Sequence, residues 1–185
     1  MITPLFNPQC AKILTLYALS PGSKHNRLQI QKRTFLNNVP LDGALHRLMS
    51  SDILNREKNA YALNFENEYA KKLVEMLGKQ HRQLRELPLA VYFLLMDTTD
   101  HVSIKGGVDL YLFGSYAKVT YSEKSDVDLA LLHDDRIDER PLHALAKKLE
   151  KTYSKKIEVH YFSKKKFYAS RKDPLVKAIL SEGML

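Results

Sequence analysis

The stretch Ser125-Asp126-Val127-Asp128-Leu129-Ala130-Leu131-Leu132 limits most strongly what this chain can fold into. Successive side chains of a strand point to opposite faces. Asp126, Asp128 and Ala130 therefore share one face, and Val127, Leu129 and Leu131 the other. Two carboxylates side by side on a strand repel each other and cost stability unless something positive sits between them. A divalent cation is the usual solution, and Mg2+ takes hard oxygen ligands from a few carboxylates together with phosphates.

The segments around this strand extend the argument. After Gly106-Gly107, the run Val108 to Phe113 reads as an apolar-rich strand, followed at once by Gly114-Ser115. Gly114 lets the backbone approach a ligand closely, and Ser115 is placed to open a short helix whose amide donors and hydroxyl suit a phosphate. An amphipathic helix is expected over 139–153, from Leu142, Leu145, Ala146 and Leu149, and then an alternating strand from Lys156 to Phe162. If that strand lies beside 126–132, Glu158 shares the face of Asp126 and Asp128. A phosphate site beside a metal site is the arrangement that phosphoryl or nucleotidyl transfer needs.

GSYAKVTYSEKSDVDL, residues 114–129, resembles the signature of the nucleotidyltransferase superfamily that includes DNA polymerase beta and kanamycin nucleotidyltransferase. It is similar above all to minimal nucleotidyltransferase domains, whose pattern is approximately Gly-Ser-x-Ala-Arg-Gly, a short gap, then Ser-Asp-x-Asp-Leu. The resemblance covers roughly residues 89–185. It implies a mixed sheet flanked by helices, a nucleoside triphosphate donor (ATP the expected one), two Mg2+ ions and a third carboxylate on a following strand. By this resemblance Asp126, Asp128 and Glu158 are the catalytic and metal-binding acids, with Glu158 the general base for the acceptor hydroxyl. Gly114, Ser115, Lys118 and Ser125 become the nucleotide-binding residues. The acceptor is a protein, an RNA or a small molecule; related proteins often modify a toxin partner, which makes a protein acceptor credible. Two positions depart from the pattern. Lys118 stands for Arg, keeping the charge without the bidentate fork. Val119 stands for Gly, which matters if the backbone there is left-handed.

The first half carries a different signal. The chain holds 29 Lys+Arg against 21 Asp+Glu, a net charge of +8. Residues 1–88 account for 13 − 7 = +6 and residues 89–185 for 16 − 14 = +2. Such a bias favours a polyanionic partner for the first half. Ile13, Leu16 and Tyr17 mark a helix over 9–19, ended by Ser20-Pro21-Gly22-Ser23. A shorter amphipathic stretch runs from Leu28 to Phe35. Pro40 reads as the first residue of a helix whose apolar positions are Leu41, Ala44, Leu45, Leu48 and Met49. Residues 53–56 and 60–63 flank the polar turn Glu57-Lys58-Asn59 as a hairpin. Three helices and a hairpin resemble a winged helix-turn-helix domain, which implies duplex DNA as partner. Residues 40–50, with His46, Arg47 and Ser50, would be the recognition helix, and Lys32, Arg33, Arg56 and Lys58 phosphate contacts. Docking and dimerisation are the alternative uses of such a domain.

Helices are also expected over 65–78, using Tyr69, Leu73, Met76 and Leu77, and over 81–97, kinked or divided at Pro88. Asp173-Pro174 and Gly183 bracket a terminal helix carrying Leu175, Val176, Ile179 and Leu180. Lys164, Lys165, Lys166, Arg171 and Lys172 read as a solvated helix face. With 44% apolar and 27% charged residues, wholesale disorder and fibrous structure are excluded. The longest apolar stretch, Leu87 to Met96, is too short to span a bilayer. No secretory signal opens the sequence, and the one cysteine, Cys10, forms neither an internal disulfide nor a zinc cluster. The expectation is thus a cytoplasmic α/β (α+β) protein with no membrane partner. It has a winged helix-turn-helix domain over 1–64, a helical connector over 65–88 and a nucleotidyltransferase domain over 89–185. A homodimer stays open. The rival reading is a DNA-binding regulator, antitoxin-like, whose nucleotide site is regulatory or vestigial.

Overall fold

The computed structural model describes residues 7–84, 87–103, 107–134 and 138–184. Residues 1–6, positions 85–86 of the expected 81–97 helix, and Gly106 of the Gly-Gly step lie outside them. The chain divides into two compact units, Met1–Phe93 and Leu94–Leu185.

In the first unit, α1 (Pro8–Leu19) is capped by the Asn7 side chain, which accepts from the Cys10 N–H at 2.7 Å. β1 (Lys24–Asn26) leads into α2 (Arg27–Thr34), where Asn26 and Gln29 form a reciprocal capping box. Next come α3 (Asn38–Ser50), β2 (Leu54–Glu57) and β3 (Ala60–Leu63). The sheet order is β1-β3-β2, antiparallel throughout. Leu41, Ala44, Leu45 and Leu48 of α3 are buried, whereas Met49 is 37% exposed, outside the expected stripe. Pro40 is the third residue of α3, not its first. The earliest intrahelical donor is the Leu41 N–H to Asn37, so proline removes no hydrogen bond there.

Residues 65–88, read as a connector, hold α4 (Glu68–Gln83), which packs along α1. It buries Ala70, Val74, Leu77 and His81, and Gly78 brings its backbone close to Ala18. The helix starts later than the expected 65–78 and runs past Gly78. Its Tyr69 and Met76 face solvent because the buried stripe is set one position over. Pro88 divides the next helical stretch: α4 ends at Gln83 and α5 spans Leu89–Ser103, with the division between the two units inside it.

In the second unit, β4 (Val108–Phe113), α6 (Gly114–Lys118), β5 (Val127–His133), α7 (Arg140–Tyr153), β6 (Ile157–Ser163), α8 (Lys164–Ala169) and α9 (Pro174–Glu182) follow. As expected, the sheet is mixed: β4 is antiparallel to β5, and β6 parallel to it. Both faces are covered. On one side Leu129 and Leu131 line an apolar cavity together with Leu142, Leu145 and Leu149 of α7. On the other, Phe113, Ala130 and Leu132 join Phe167 of α8 with Val176 and Ile179 of α9 in a core cluster.

The terminal helix is capped by Asp173, which accepts from Leu175 and Val176, while Leu180 is 41% exposed. Gly183 closes it with φ −64°, not in the left-handed conformation usual for a glycine cap. It is glycine because a Cβ there would strike the Ile179 carbonyl. The next residue, Met184, exchanges both backbone hydrogen bonds with Leu112 of β4, each 2.8 Å. Among the described residues no helix is long and apolar enough to cross a membrane.

Candidate functional site

The pairing register assembles the acidic site. Asp128 lies opposite Phe113 on β4 and opposite Glu158 on β6, so Asp128 and Glu158 are lateral neighbours on one sheet face. Asp126 immediately precedes β5 on the same face by alternation. The register Ala130↔His160 then puts His160 next along that face. Its ring lies edge-on to Phe113 and parallel to Phe162, and its Nε2 is 3.2 Å from Glu158 Oε1.

Gly114 begins α6 directly at the end of β4, with φ +69°. A Cβ at this position would fall on the carboxylate of Asp128. The glycine is therefore demanded twice, by its backbone conformation and by the acid packed against it. Ser115 is the second residue of α6, one later than the sequence suggested. The helix closes at Val119 in the left-handed region, φ 58° and ψ 34°. That is the conformation the departure from glycine puts at issue, and a β-branched side chain there is strained.

Electrostatics mark Asp128 as the stressed member. Burial pushes its carboxyl above the ordinary aspartate value, and Glu158 and then Asp126 push it further, while His160 and Lys156 pull it back. Asp126 turns to Lys156, whose Nζ donates to its Oδ2 at 2.7 Å. The carboxylates have the hard-oxygen chemistry that Mg2+ requires, and a cation among them would relieve the repulsion on Asp128. With Asp126 paired to Lys156 and Glu158 beside His160, however, no three Asp, Glu, His or Cys groups among the described residues converge as a metal cluster.

The other candidates lie as follows. Ser125 accepts from the Ser122 N–H at 2.8 Å and tightens the loop before β5. Lys118 pairs with Glu182 of α9 at 2.9 Å. At the opposite end of the sheet Lys164 lies 3.2 Å from Asp109 and 3.4 Å from Asp134, so it is an ion-pair member and not part of a free basic face.

Residues 99–184 match the family model of the nucleotidyltransferase domain. The match lies within the second unit and takes in α6, both acidic strands and α9. No curated protein matches the chain. Lys156 and His160 stand beside these acids in the structure, Lys156 on Asp126 and His160 on Glu158; from the sequence His160 reads as a bystander on the Glu158 face, and Lys156 carries no expected role. Both sit at even offsets from Glu158, the alternation that puts His160, and equally Lys156, on its face.

In the first unit the basic candidates are all exposed. Lys32 and Arg33 occupy the last turn of α2, His46 and Arg47 the outer side of α3, and Arg56 strand β2. Lys58, with φ 53°, makes the two-residue turn between β2 and β3, and Arg56 Nε donates to its carbonyl at 3.3 Å.

Proposed function

We propose that the second unit transfers a nucleoside monophosphate from a nucleoside triphosphate, ATP by preference, to an acceptor hydroxyl, releasing pyrophosphate. The observation that carries this reading is the side-by-side register of Asp128 and Glu158 under Gly114, inside the stretch that matches the nucleotidyltransferase family. Asp126, Asp128 and Glu158 would hold two Mg2+ ions, which supply charge stabilisation to the phosphates when bound. Gly114, Ser115, Lys118 and Ser125 seat the donor. Glu158 takes the proton of the acceptor hydroxyl as its oxygen attacks the α-phosphorus and the bond to the β-phosphate oxygen breaks. The test is incubation of the full chain with α-labelled nucleoside triphosphates, Mg2+ and cell extract. Label on a protein, RNA or small molecule is the expected result; tight nucleotide binding with no label on any acceptor overturns the reading.

The first unit is read as a winged helix that binds duplex DNA. Its support is the order α1-β1-α2-α3-β2-β3 with sheet order β1-β3-β2, the topology in which α3 would face a groove and the β2–β3 turn a backbone. The excess of +6 in residues 1–88, all six candidate side chains being exposed, points to the same partner. The pairing of Asp126 with Lys156 and the strained Val119 favour one rival, a DNA-binding regulator with a vestigial nucleotide site. The labelling experiment separates the two.

A further inference from the structure

We propose that Lys156 is the resident counter-ion of the acidic site, holding Asp126 when no metal is bound and passing to the donor's phosphate oxygens when a cation displaces it. This rests on the nucleotidyl-transfer reading above.

The argument begins with the backbone. The Val127 N–H donates to the Lys156 carbonyl at 2.8 Å, so the parallel ladder fixes Lys156 one step before β6 and alongside Asp126. From there its ammonium reaches Asp126 Oδ2 at 2.7 Å, and Glu158 and Glu150 add to the negative field around it. The site therefore carries its own positive charge, on a flexible stem rooted in a rigid strand. Among the three acids, Asp126 is the one engaged this way; Glu158 faces His160, and Asp128 is packed against Gly114.

The pair is also built to open. The Lys156 side chain is 71% exposed and the Asp126 side chain 33% exposed, so the ammonium can leave for water without stranding a buried charge. A divalent cation among the acids would compete with Lys156 for Asp126. The released ammonium would then stand at the rim of a site whose donor carries several phosphate charges, where a mobile point charge is a suitable partner. The lysine therefore opposes the metal and favours the nucleotide, two effects of opposite sign from one side chain.

The test uses the full chain with Mn2+ as the metal probe, followed by paramagnetic resonance. The nucleotide probe is an ATP analogue carrying a methylene bridge between its α- and β-phosphates. Lys156→Met should bind Mn2+ alone about fivefold more tightly than the parent. At saturating Mn2+ it should bind the analogue about fivefold more weakly, the size expected for one solvent-screened unit charge. Lys156→Arg should follow the parent in both directions, and circular dichroism confirms that each variant is folded. Unchanged or weakened Mn2+ affinity in Lys156→Met overturns the proposal, and so does unchanged affinity for the analogue. Asp128→Asn identifies a failure of the underlying reading. If the parent takes up no Mn2+, or Asp128→Asn takes it up equally well, the acidic site is not a metal site and the proposal falls with it. If uptake depends on Asp128 but not on Lys156, only the counter-ion role is wrong.

Discussion

Each unit is organised around a three-stranded sheet, and the two sheets are used differently. In the first, the strands are three or four residues long and antiparallel, and β2 buries only its first residue, Leu54. Register brings Lys24 of β1 to Glu57 of β2, but the basic candidates Arg56 and Lys58 lie exposed at the surface. In the second, β5 and β6 are seven residues long, parallel and packed on both faces. There the register itself selects which acids become neighbours, and a slip of one residue would send Asp128 and Glu158 to opposite faces. The chemistry of the first sheet is a surface property that single substitutions reduce by degrees. That of the second is a property of alignment, which one substitution can abolish.

The sharpest test of this contrast is Asp128→Asn. Transfer should fall on the order of a thousandfold, since a carboxylate is lost where phosphate charge must be offset. Stability should move the other way. Because the folded state raises the carboxyl's pKa, it binds the proton more tightly than the unfolded chain does. The parent is therefore penalised at neutral pH, and the penalty is relieved as pH falls through the raised value. Urea unfolding should show Asp128→Asn at least as stable as the parent at pH 7, with any advantage gone at pH values below the ordinary aspartate range. A variant markedly less stable at pH 7 would show that the acid is a structural anchor and not a strained functional group.

Glu158→Gln should cost transfer about a hundredfold and leave binding of the methylene-bridged analogue nearly intact, because a general base acts on the acceptor. Equal losses in binding and transfer would reassign Glu158 to donor binding. On the first sheet, the double variant Arg47→Met with Lys58→Met should flatten the salt dependence of duplex binding by about two log–log units. It should leave transfer by the second unit untouched. No affinity for duplex at low salt in the parent would remove DNA as the partner and leave docking. The smallest effect is expected at Val119→Gly, a gain of about 1 kcal/mol as left-handed strain is relieved against the greater chain freedom of glycine. Urea midpoints measure it, and a loss would mean that packing by the half-exposed valine outweighs its backbone strain.

The same contrast governs how much the sequence disclosed. The second sheet was legible because its strands alternate over six or seven residues and its acids sit at even spacing, so Glu158 could be aligned with Asp128 before any pairing was known. His160 obeys the same spacing and falls on the Glu158 face, but a lone histidine reads as a bystander, and an exposed lysine such as Lys156 carries no signal, until neighbours are in place. In the first unit β1 escaped notice because Lys24-His25-Asn26 is too short to alternate, and its strand character comes entirely from pairing with β3. Tyr69 and Met76 face outward, against the expected stripe, for a related reason. On α4 apolar residues occur on both sides, and only packing against α1 decides which stripe is buried.

The bridge between Leu112 and Met184 sets an order on the making of the protein. β4 delivers Gly114 to Asp128, yet its outer edge is paired with a residue far along the chain, just past α9. The first unit draws its contacts from residues made early, so it can collapse while the ribosome is still at work. The second cannot clamp β4 until residue 184 has emerged. A nascent chain thus completes its basic surface before its acidic site. Whatever the first unit meets at that stage, it meets while the acids of the second are not yet in register.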